Sequence, residues 1–254
     1  MMKEKPIVLY TDHVINKSLC YYFAKGSQSL MCHVDNFKEF DKPIATYGIK
    51  RGTADILKKV SEFYYIDHGY FNQSKRSFKN SKTTIFNLDG YFRIVHNDFF
   101  HNGKGNNGSD RLDRLKLNFK KKRISGEYII LSPPGESSSF FNLKNWVEKT
   151  TRDIKKYSDR KIIVHKRGSD VPLDELLEKA WAFVTSHSSA AFKAMINGVP
   201  SYFTNQTLSQ IASIDQIEKN EINYSAFKNL AYCQWNIKEI ESGEAWEYIS
   251  KGSK

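Results

Sequence analysis

The chain has 254 residues, of which 40% are hydrophobic and 14% aromatic, enough apolar side chains for one large domain or two small ones. No apolar run reaches the length that crosses a bilayer, and the amino terminus lacks the apolar region and cleavage site of a signal peptide. The three cysteines show no metal-ligand spacing. These features exclude a transmembrane or disulfide-stapled class, and we expect a cytoplasmic protein with reduced thiols.

The formal net charge of +11 predicts an anionic partner, which is nucleic acid, an anionic membrane surface or a phosphate-rich small substrate. A solvated lysine-rich surface without any partner produces the same charge. Charge alone therefore leaves these alternatives open.

The first elements alternate between strand and helix. Pro6–Tyr10 predicts a strand, and Asn16 is placed to cap a helix that runs from Lys17 to Gly26. Pro43–Tyr47 predicts the next strand. This order is typical of a Rossmann-like half.

Two glycines, Gly48 and Gly52, flank a Lys-Arg pair before a helical run. The pattern predicts a backbone that approaches a phosphate or an acceptor, with Arg51 in contact with it. A tight loop with solvated cations has the same pattern, and both interpretations stay open.

An ionisable pair, Asp67 and His68, follows the strand-like run Phe63–Ile66. Catalytic groups are often mounted at the carboxyl end of a strand, and either side chain can serve as a general base. We take Asp67 first and His68 second. In the alternative interpretation Asp67 caps a turn and His68 packs beneath Tyr70.

Three predictions concern the segment that follows. Residues 72–81 are polar and predict a mobile loop, and Thr84–Leu88 with Tyr91–Val95 predicts a hairpin about Asp89-Gly90. Arg111–Arg123 is the most basic stretch, which either faces DNA phosphates or lies solvated between domains.

The second half starts at the strand Gly126–Ser132 and continues through a helix over Asn145–Tyr157 to the strand Lys161–His165. Strands that alternate with helices predict a parallel sheet. Pro134 and Gly135 belong to a Gly-Ser-rich loop after the first of these strands, which is either a phosphate cradle or a polar loop with a serine cap.

The chain is organised around residues 164–203, where a strand at Ala180–Thr185 runs into a hydroxyl-rich turn and a helix over Ala190–Asn197. Free N–H groups and hydroxyls at such a turn suit a phosphate, although a serine cap explains the turn equally well. The cations that follow the preceding strand favour the phosphate. The predicted site residues are Lys166, Arg167, Ser186, His187, Ser188 and Ser189.

The segment Val184–Ser189, followed by Ala194, Gly198 and Pro200, resembles the donor-binding half of a GT-B-type glycosyltransferase. It is most similar to compact enzymes of bacteriophages and to capsular-polysaccharide transferases. Lys193 stands where many of these enzymes have a glutamate that holds the donor ribose.

The resemblance implies an α/β fold of two Rossmann-like halves with a cleft between them and C-terminal helices that cross back. We therefore assign residues 1–123 to the acceptor side and residues 124–254 to the nucleotide-sugar side. In the first half, Asp67-His68-Gly69-Tyr70-Phe71 and Tyr91-Phe92-Arg93 with Asn97 are similar to the phage enzymes. The acceptor contacts that follow are Arg51, Tyr70, Arg93 and Asn97.

The implied activity is metal-independent transfer of a hexose or pentose from a nucleotide sugar, with a UDP-sugar as first candidate and no resident cofactor. The predicted acceptor is a hydroxymethylated base in phage DNA, inside a bacterial host, with aromatics such as Tyr70, Phe71, Phe99 and Phe100 as stacking candidates, although core burial is the stronger interpretation for most of these rings. The alternatives are a capsular or surface polysaccharide acceptor, and a non-catalytic DNA-binding module of the same fold.

Overall fold

The computed structural model describes residues 3–74, 76–80, 83–86, 88–135 and 139–252. The chain forms two compact units. Unit 1 contains residues 1–101, 105–107 and 231–254, and unit 2 contains residues 102–104 and 108–230. This division differs from a single boundary after residue 123, because the basic stretch 111–123 lies in unit 2 and the C-terminal segment returns to unit 1.

Unit 1 is built on a six-stranded sheet. Its strands are β1 (Ile7–Tyr10), β2 (Met31–His33), β3 (Ile44–Tyr47), β4 (Phe63–His68), β7 (Tyr91–His96) and β12 (Gln234–Asn236). Their order in the sheet is β12-β7-β4-β3-β1-β2. The first four strands of the chain are parallel, whereas β7 pairs antiparallel with β4 and β12 pairs antiparallel with β7. A separate antiparallel pair is formed by β5 (Arg76–Asn80) and β6 (Thr83–Phe86).

Both faces of the unit 1 sheet are covered, because alternate residues of its strands are apolar on each side. Val8, Tyr64 and Ile66 pack on one face beneath α1 (Val14–Ser27), α8 (Ile237–Glu241) and α9 (Glu244–Ser250). Leu9 and Tyr65 pack on the other face with α2 (Thr53–Leu57). Unit 1 is therefore a three-layer α/β structure.

Unit 2 is built on a parallel sheet. Its strands are β8 (Tyr128–Ser132), β9 (Lys161–Val164), β10 (Ala180–Thr185) and β11 (Ser201–Phe203), and its helices are α3 (Asp110–Arg114), α4 (Trp146–Lys155), α5 (Leu173–Leu177), α6 (Ala190–Ile196) and α7 (Tyr224–Ala231). The order of the strands in the sheet is β11-β10-β8-β9. Trp146, Ile154 and Trp181 pack with Ile129 and Tyr202 in the core of one sheet face.

Several local predictions differ from the structure. The hairpin partner of β7 is not the run 84–88, because β6 pairs with β5 and β7 pairs with β4. Part of the expected loop 72–81 is β5, although residues 75 and 81 lie outside the described residues. The run Ser225–Trp235 predicts a helix over its whole length, but helix α7 ends at Ala231. Trp235 lies in strand β12 instead, where its 2% exposed side chain completes the core.

Candidate functional site

The carboxyl edge of the unit 2 sheet has a topological switch point. The connection from β8 leads to β9 on one side of β8, and the connection from β9 crosses to β10 on the other side. The connections that leave the neighbouring strands β8 and β10 therefore run in opposite directions, which opens a crevice between their carboxyl ends. Ligands of open α/β sheets bind at such a point. The loops at this crevice are residues 133–135 and 186–189.

The turn after β10 brings the predicted hydroxyl groups to this crevice. Ser186 is 1% exposed, and its Oγ lies 3.0 Å from Nδ1 of His187. The His187 ring packs against Phe141 at a centroid distance of 4.7 Å. Ser188 Oγ accepts a hydrogen bond from the Ala190 N–H at 3.3 Å, so part of the capping interpretation is correct for this serine. Ser189 lies at the N-cap position without a side-chain cap hydrogen bond.

The crevice is fixed from below by a row of hydrogen bonds. Thr185 Oγ1 donates to Ser132 O at 2.9 Å, which ties the ends of β10 and β8 together. The Thr204 N–H donates to Thr185 O at 3.1 Å, and the Asn205 N–H donates to Ser186 O at 3.3 Å. Three neighbouring strand ends therefore hold the turn in one position while its upper side stays half-exposed.

Lys166 and Arg167 follow β9 and are exposed. Only β8 separates β9 from β10, so the two strand ends are about 10 Å apart at ordinary strand spacing. The turn is shaped by Ser169, whose Oγ accepts from the Lys166 N–H at 3.0 Å and donates to Lys166 O at 2.8 Å. Within the part of the chain that the structure describes, neither cation forms an ion pair.

Pro134 and Gly135 form the described part of the loop after β8; Glu136, Ser137 and Ser138 lie outside the described residues. Gly135 is exposed, and a Cβ added to it would meet no atom within 4 Å. The backbone at Gly135 is therefore uncovered on the side where a Cβ would lie.

Lys193 lies on α6 and is exposed. Its Nζ forms an ion pair with Asp174 at 2.6 Å. The positive charge is thus balanced within unit 2, and the position offers an ammonium group held by a carboxylate instead of a free carboxylate.

Unit 1 has its own switch point, between β1 and β3. Asn16, which the sequence predicts to cap a helix, closes this switch point instead. Asn16 does not cap α1, which begins at Val14. Its Oδ1 accepts from the Thr11 N–H at 2.6 Å and its Nδ2 donates to Tyr47 O at 2.7 Å, which joins the two strand ends. The signal was present in the sequence, because Asn16 lies on the same helical face as the apolar residues Leu19, Cys20 and Phe23.

Arg51 lies on the loop that follows β3 and is exposed. Its backbone has φ of +60°, between Gly48 at +75° and Gly52 at +87°. Thr53, a fully buried hydroxyl, donates to Gly48 O at 3.0 Å and to Lys50 O at 2.8 Å and so maintains this conformation. A left-handed conformation at a non-glycine residue costs free energy and is frequent at binding sites.

Asp67 and Arg93, predicted as a catalytic base and an acceptor contact, are partners in a largely buried ion pair. Arg93 Nη2 lies 2.9 Å from Asp67 Oδ2, and Arg93 Nη1 donates to His68 O at 2.6 Å. The guanidinium also lies 5.0 Å from the centroid of the Phe100 ring. The second partner of the Asp67 carboxylate is the Tyr65 hydroxyl at 3.0 Å.

The ionisation of this pair follows from its surroundings. Burial by itself raises the pKa of Asp67, but the Arg93 guanidinium, the His68 ring and the hydrogen bonds from His68 N–H and Tyr65 Oη outweigh burial, so that pKa lies below its ordinary value of 3.8. Burial lowers the pKa of Arg93, and the Asp67 carboxylate with the nearby tyrosines more than reverses this effect. Both side chains are therefore charged at neutral pH, and they bind each other.

His68 ends β4 at the carboxyl edge and is half-exposed. Its Nε2 lies 3.3 Å from the Tyr47 hydroxyl and its Nδ1 lies 3.4 Å from Ser74 Oγ. The ring stacks on Phe92 at a centroid distance of 5.9 Å, and not beneath Tyr70. Polar partners at both nitrogens and a ring below determine the orientation of the imidazole.

Two predicted acceptor contacts, Tyr70 and Asn97, form hydrogen bonds with backbone groups of unit 1. Tyr70 is 4% exposed, and its hydroxyl accepts from the His101 N–H at 2.7 Å. Asn97 lies at the opposite edge of the sheet, where its Oδ1 accepts from the Phe63 N–H at 2.8 Å. Its φ of +54° and this hydrogen bond describe a residue that turns the chain after β7.

No group of three or more His, Cys, Asp or Glu side chains in the described part of the chain is arranged to hold a metal ion. No helix among the described residues is both long and apolar enough to cross a membrane.

No protein-family model matches the chain, and no curated protein matches it. Among solved structures, the chain is similar to Thermosulfurimonas dismutans KpsC, beta Kdo 2,4 transferase, with a TM-score of 0.46 and 11% identity over 91% of this chain and 91% of that chain. It is also similar to Thermosulfurimonas dismutans KpsC, beta Kdo 2,7 transferase, with a TM-score of 0.44 and 11% identity over 95% of this chain and 99% of that chain. Similarities at this level carry no argument about activity, which has to come from the geometry of the chain itself.

Proposed function

We propose that the chain is a metal-independent glycosyltransferase that binds the phosphate of a nucleotide-sugar donor at the carboxyl edge of the unit 2 sheet. One observation carries the proposal: the loops 133–135 and 186–189 lie at the switch point of that parallel sheet. The backbone and the serine hydroxyls of these loops are the donors that a phosphate accepts from.

The positive charge for the donor comes from the chain itself. Lys166 and Arg167 extend from a strand end about 10 Å from the hydroxyl-rich turn, within reach of a phosphate held there. When the sugar departs, negative charge grows on the phosphate oxygen that it leaves. Cations that are already in place stabilise this charge without reorganisation, which lowers the barrier to transfer.

The transfer forms one bond and breaks another. The acceptor hydroxyl oxygen attacks the anomeric carbon, the bond from that carbon to the phosphate oxygen breaks with its electron pair, and a base takes the hydroxyl proton.

We assign the base to His68 in preference to Asp67. The lowered pKa of Asp67 makes it a weak base, because burial is outweighed by the Arg93 charge. His68 is half-exposed and oriented by Tyr47.

We propose a saccharide hydroxyl as the acceptor, in preference to a hydroxymethylated base in DNA. A flipped base has to stack on exposed aromatic rings. The four rings predicted for that role pack into unit 1 instead: Tyr70, Phe71 and Phe100 are 4%, 2% and 4% exposed, and Phe99 packs against Tyr65 at 4.9 Å. A saccharide needs only hydrogen-bonding groups such as Arg51 and His68.

The donor half of the proposal is tested by thermal unfolding of the whole chain with nucleotides. The panel covers nucleoside monophosphates, nucleoside diphosphates and their sugars, Kdo among them, and the matched nucleosides without phosphate are the controls. A ligand that binds only the native state stabilises it by about 2.7 kcal/mol at a hundredfold excess over Kd. Absence of a shift with every phosphorylated compound would contradict the proposal.

The acceptor half is tested with the best donor from that panel. Nucleotide release is measured with surface-type oligosaccharides and with hydroxymethylated duplex DNA. We expect release with a saccharide and a lower kcat in His68→Ala without a loss of donor affinity, by the 10²- to 10⁴-fold typical of general base catalysis. Release with DNA alone would replace the saccharide by the DNA acceptor.

A further inference from the structure

Unit 2 carries a second cationic surface, at the amino edge of its sheet. We define the basic strap as residues 120–123, Lys-Lys-Lys-Arg. We propose that the basic strap, together with Ile124, docks the protein onto an anionic lipid surface. The inference does not depend on the proposed transferase activity, because it uses none of the donor-site residues.

The strap has no helix or strand of its own but is held to the end of α6 and to the turn that follows it. The Lys120 N–H donates to Ile196 O at 2.8 Å, and the Arg123 N–H donates to Gly198 O at 2.9 Å. Asn220 Nδ2 donates to Arg123 O at 2.8 Å. The backbone of the strap therefore needs no further ordering when a partner binds, which reduces the entropy cost of binding.

Gly198 provides the space for this attachment. Its φ is +82°, and a Cβ at this position would lie 2.2 Å from Lys121 O. Any other residue would push the strap away from the turn between α6 and β11. Just before the strap, the Phe119 ring packs against Tyr224 and Phe227 at centroid distances of 5.7 and 5.2 Å.

The strap exposes positive charge that is not balanced locally. Lys120, Lys121 and Lys122 are exposed, and within the described residues none of them forms an ion pair. A run of cations of this kind is attracted to the negative potential of an anionic bilayer. Lysine is a compact, strongly hydrated charge, which suits a lipid headgroup layer and lacks the bidentate geometry of arginine.

An apolar side chain distinguishes a lipid surface from a nucleic acid. Ile124 follows the strap directly and is 86% exposed. Water is a poor environment for a branched apolar side chain, and a phosphate backbone offers it nothing better. The acyl boundary of a bilayer buries it, so cations and one apolar residue act together.

The strap lies far from the donor loops. It is attached at Ile196 and Gly198, which precede β11, whereas the donor loops follow the carboxyl ends of the same parallel strands. The six-residue strand β10 separates the two edges by about 20 Å. Lipid docking and nucleotide binding are therefore separable by mutation.

The experiment is co-sedimentation of the whole chain with vesicles. One set contains phosphatidylcholine mixed with phosphatidylglycerol, and the other contains phosphatidylcholine alone. We compare wild type with the triple variant Lys120→Gln, Lys121→Gln, Lys122→Gln. The matched control removes the same charge from exposed residues elsewhere in unit 2: Lys144→Gln, Lys149→Gln, Arg152→Gln.

We expect wild type to bind only the anionic vesicles, and the strap triple to bind them on the order of 100-fold more weakly, since each cation near the surface contributes about fivefold. The control triple should lose at most severalfold. Ile124→Asn should lose about tenfold, whereas Val171→Asn, at another exposed apolar residue of unit 2, should bind like wild type.

Three results would overturn the proposal. These are equal losses in the two triples, no sedimentation of wild type with anionic vesicles, and binding to a DNA duplex that the strap triple loses while vesicle binding is unchanged. Wild type alone supplies a further test that depends on no variant. Its binding to anionic vesicles must weaken steeply as salt screens the charges, and salt-independent binding also refutes docking by the strap.

Discussion

The two sheets place polar side chains at their carboxyl edges in different ways. In unit 1, Asn16 joins two strand ends and Asp67 pairs with Arg93, so these groups bind one another. In unit 2, the strand ends are joined by backbone and Thr185, while Lys166 and Arg167 extend into solvent. A buried polar network fixes a scaffold, whereas exposed cations above a fixed turn remain available to a ligand. Residue type and strand position alone do not distinguish these two cases.

The largest expected effect comes from breaking the unit 1 network. Asp67→Asn leaves the Arg93 guanidinium, whose side chain is 9% exposed, without its carboxylate. We expect a loss of about 3 kcal/mol in the free energy of unfolding, because a buried charge without a partner is costly. Asp174→Asn, which breaks the exposed pair with Lys193, should cost less than about 1 kcal/mol.

Urea unfolding of both variants, followed by circular dichroism, checks this contrast. Equal losses in Asp67→Asn and Asp174→Asn would remove the distinction between the two units. Retained activity in Asp67→Asn, measured below its unfolding transition, would further support a purely structural role for this carboxylate.

The second effect compares two glycines of unit 2 with nearly the same backbone. Gly198 has φ of +82° and lies under Lys121 O, whereas Gly168 has φ of +84° and a Cβ there would meet no atom within 4 Å. Gly168→Ala should cost about 1 kcal/mol from backbone strain alone. Gly198→Ala should cost about 2 kcal/mol or more, because the strap has to move as well.

Thermal unfolding of the two variants measures the difference directly, since the strain at positive φ is common to both. If Gly168→Ala is destabilised as much as Gly198→Ala, the contact between the strap and Gly198 contributes nothing to stability. The amino edge of unit 2 would then be as open as its carboxyl edge.

The third expected effect is the opposite of the first, because it changes ligand affinity and not stability. The double variant Lys166→Ala, Arg167→Ala removes exposed cations without ion pairs in the described part of the chain, so its unfolding free energy should stay within about 0.5 kcal/mol of wild type. Nucleotide affinity should fall by about 10- to 100-fold, because hydrogen bonds to charged groups are among the strong ones. Isothermal titration with the nucleotide found in the thermal screen checks it.

Lys179→Ala is the matched control, because Lys179 lies just before β10, at the other end of that strand, and its side chain is 67% exposed. An equal loss of affinity in Lys179→Ala would indicate a general charge effect and not a site at the crevice.

Parts of both units follow from the sequence, and the rest depends on contacts between distant segments. The strand–helix alternation of unit 2 and the position of the turn at 186–189 are local patterns, and both were predicted. The pairing of β7 with β4 was not, because an Asp-Gly turn after a strand-like run is a stronger local signal than a partner strand further away. Strand β12 is not predicted either, because its partner strand β7 is also distant in the sequence.

Buried hydrogen-bond partners show the same limit at the level of single residues. Gln234, fully buried in β12, accepts the N–H groups of Tyr70 and Phe71 at 2.8 and 2.9 Å. No sequence feature near residue 234 indicates a hydrogen-bond partner more than a hundred and sixty residues away. The sequence predicts catalysis for Asp67 and binding for Arg93, because the charge of a side chain is visible in a sequence but its ion-pair partner is not.

The fourth effect is the response of unit 1 to acid. Burial lowers the pKa of His101, so a proton binds it less well in the folded state than in the unfolded state. The resulting stability is present above the ordinary pKa of 6.5 and is lost as pH falls below it. The lowered pKa of Asp67, set by Arg93 against burial, gives a second loss below pH 3.8.

Urea unfolding across pH 3 to 8, run on wild type and His101→Asn, separates the two steps in which acid lowers the free energy of unfolding. His101→Asn should abolish the step near neutral pH and leave the acidic one, and each step should be smaller than the loss in Asp67→Asn. A profile that is flat between pH 7 and 5 in wild type would contradict the assignment to His101.

The last expected effect concerns the reactivity of one thiol and reports on access to the unit 1 network. Burial raises the pKa of Cys20 to about 12, and its thiol donates to Leu9 O at 3.1 Å beneath the switch point that Asn16 closes. Because the thiolate is the reactive form, iodoacetamide at pH 8 should modify the half-exposed Cys32 and Cys233 first. Cys20 should react only when α1 opens, at a rate that follows the unfolding equilibrium.

Asn16→Ala makes this measurement a test of the comparison between the units. If Asn16 rigidly joins β1 and β3, its loss should speed alkylation of Cys20 by roughly the factor that 1–3 kcal/mol gives for an unsatisfied buried group, while Lys166→Ala leaves the rate unchanged. Mass spectrometry of tryptic peptides at successive times resolves the three thiols. Fast modification of Cys20 in wild type would mean that the carboxyl edge of unit 1 opens as readily as that of unit 2, and the contrast between a closed scaffold and an open site would no longer hold.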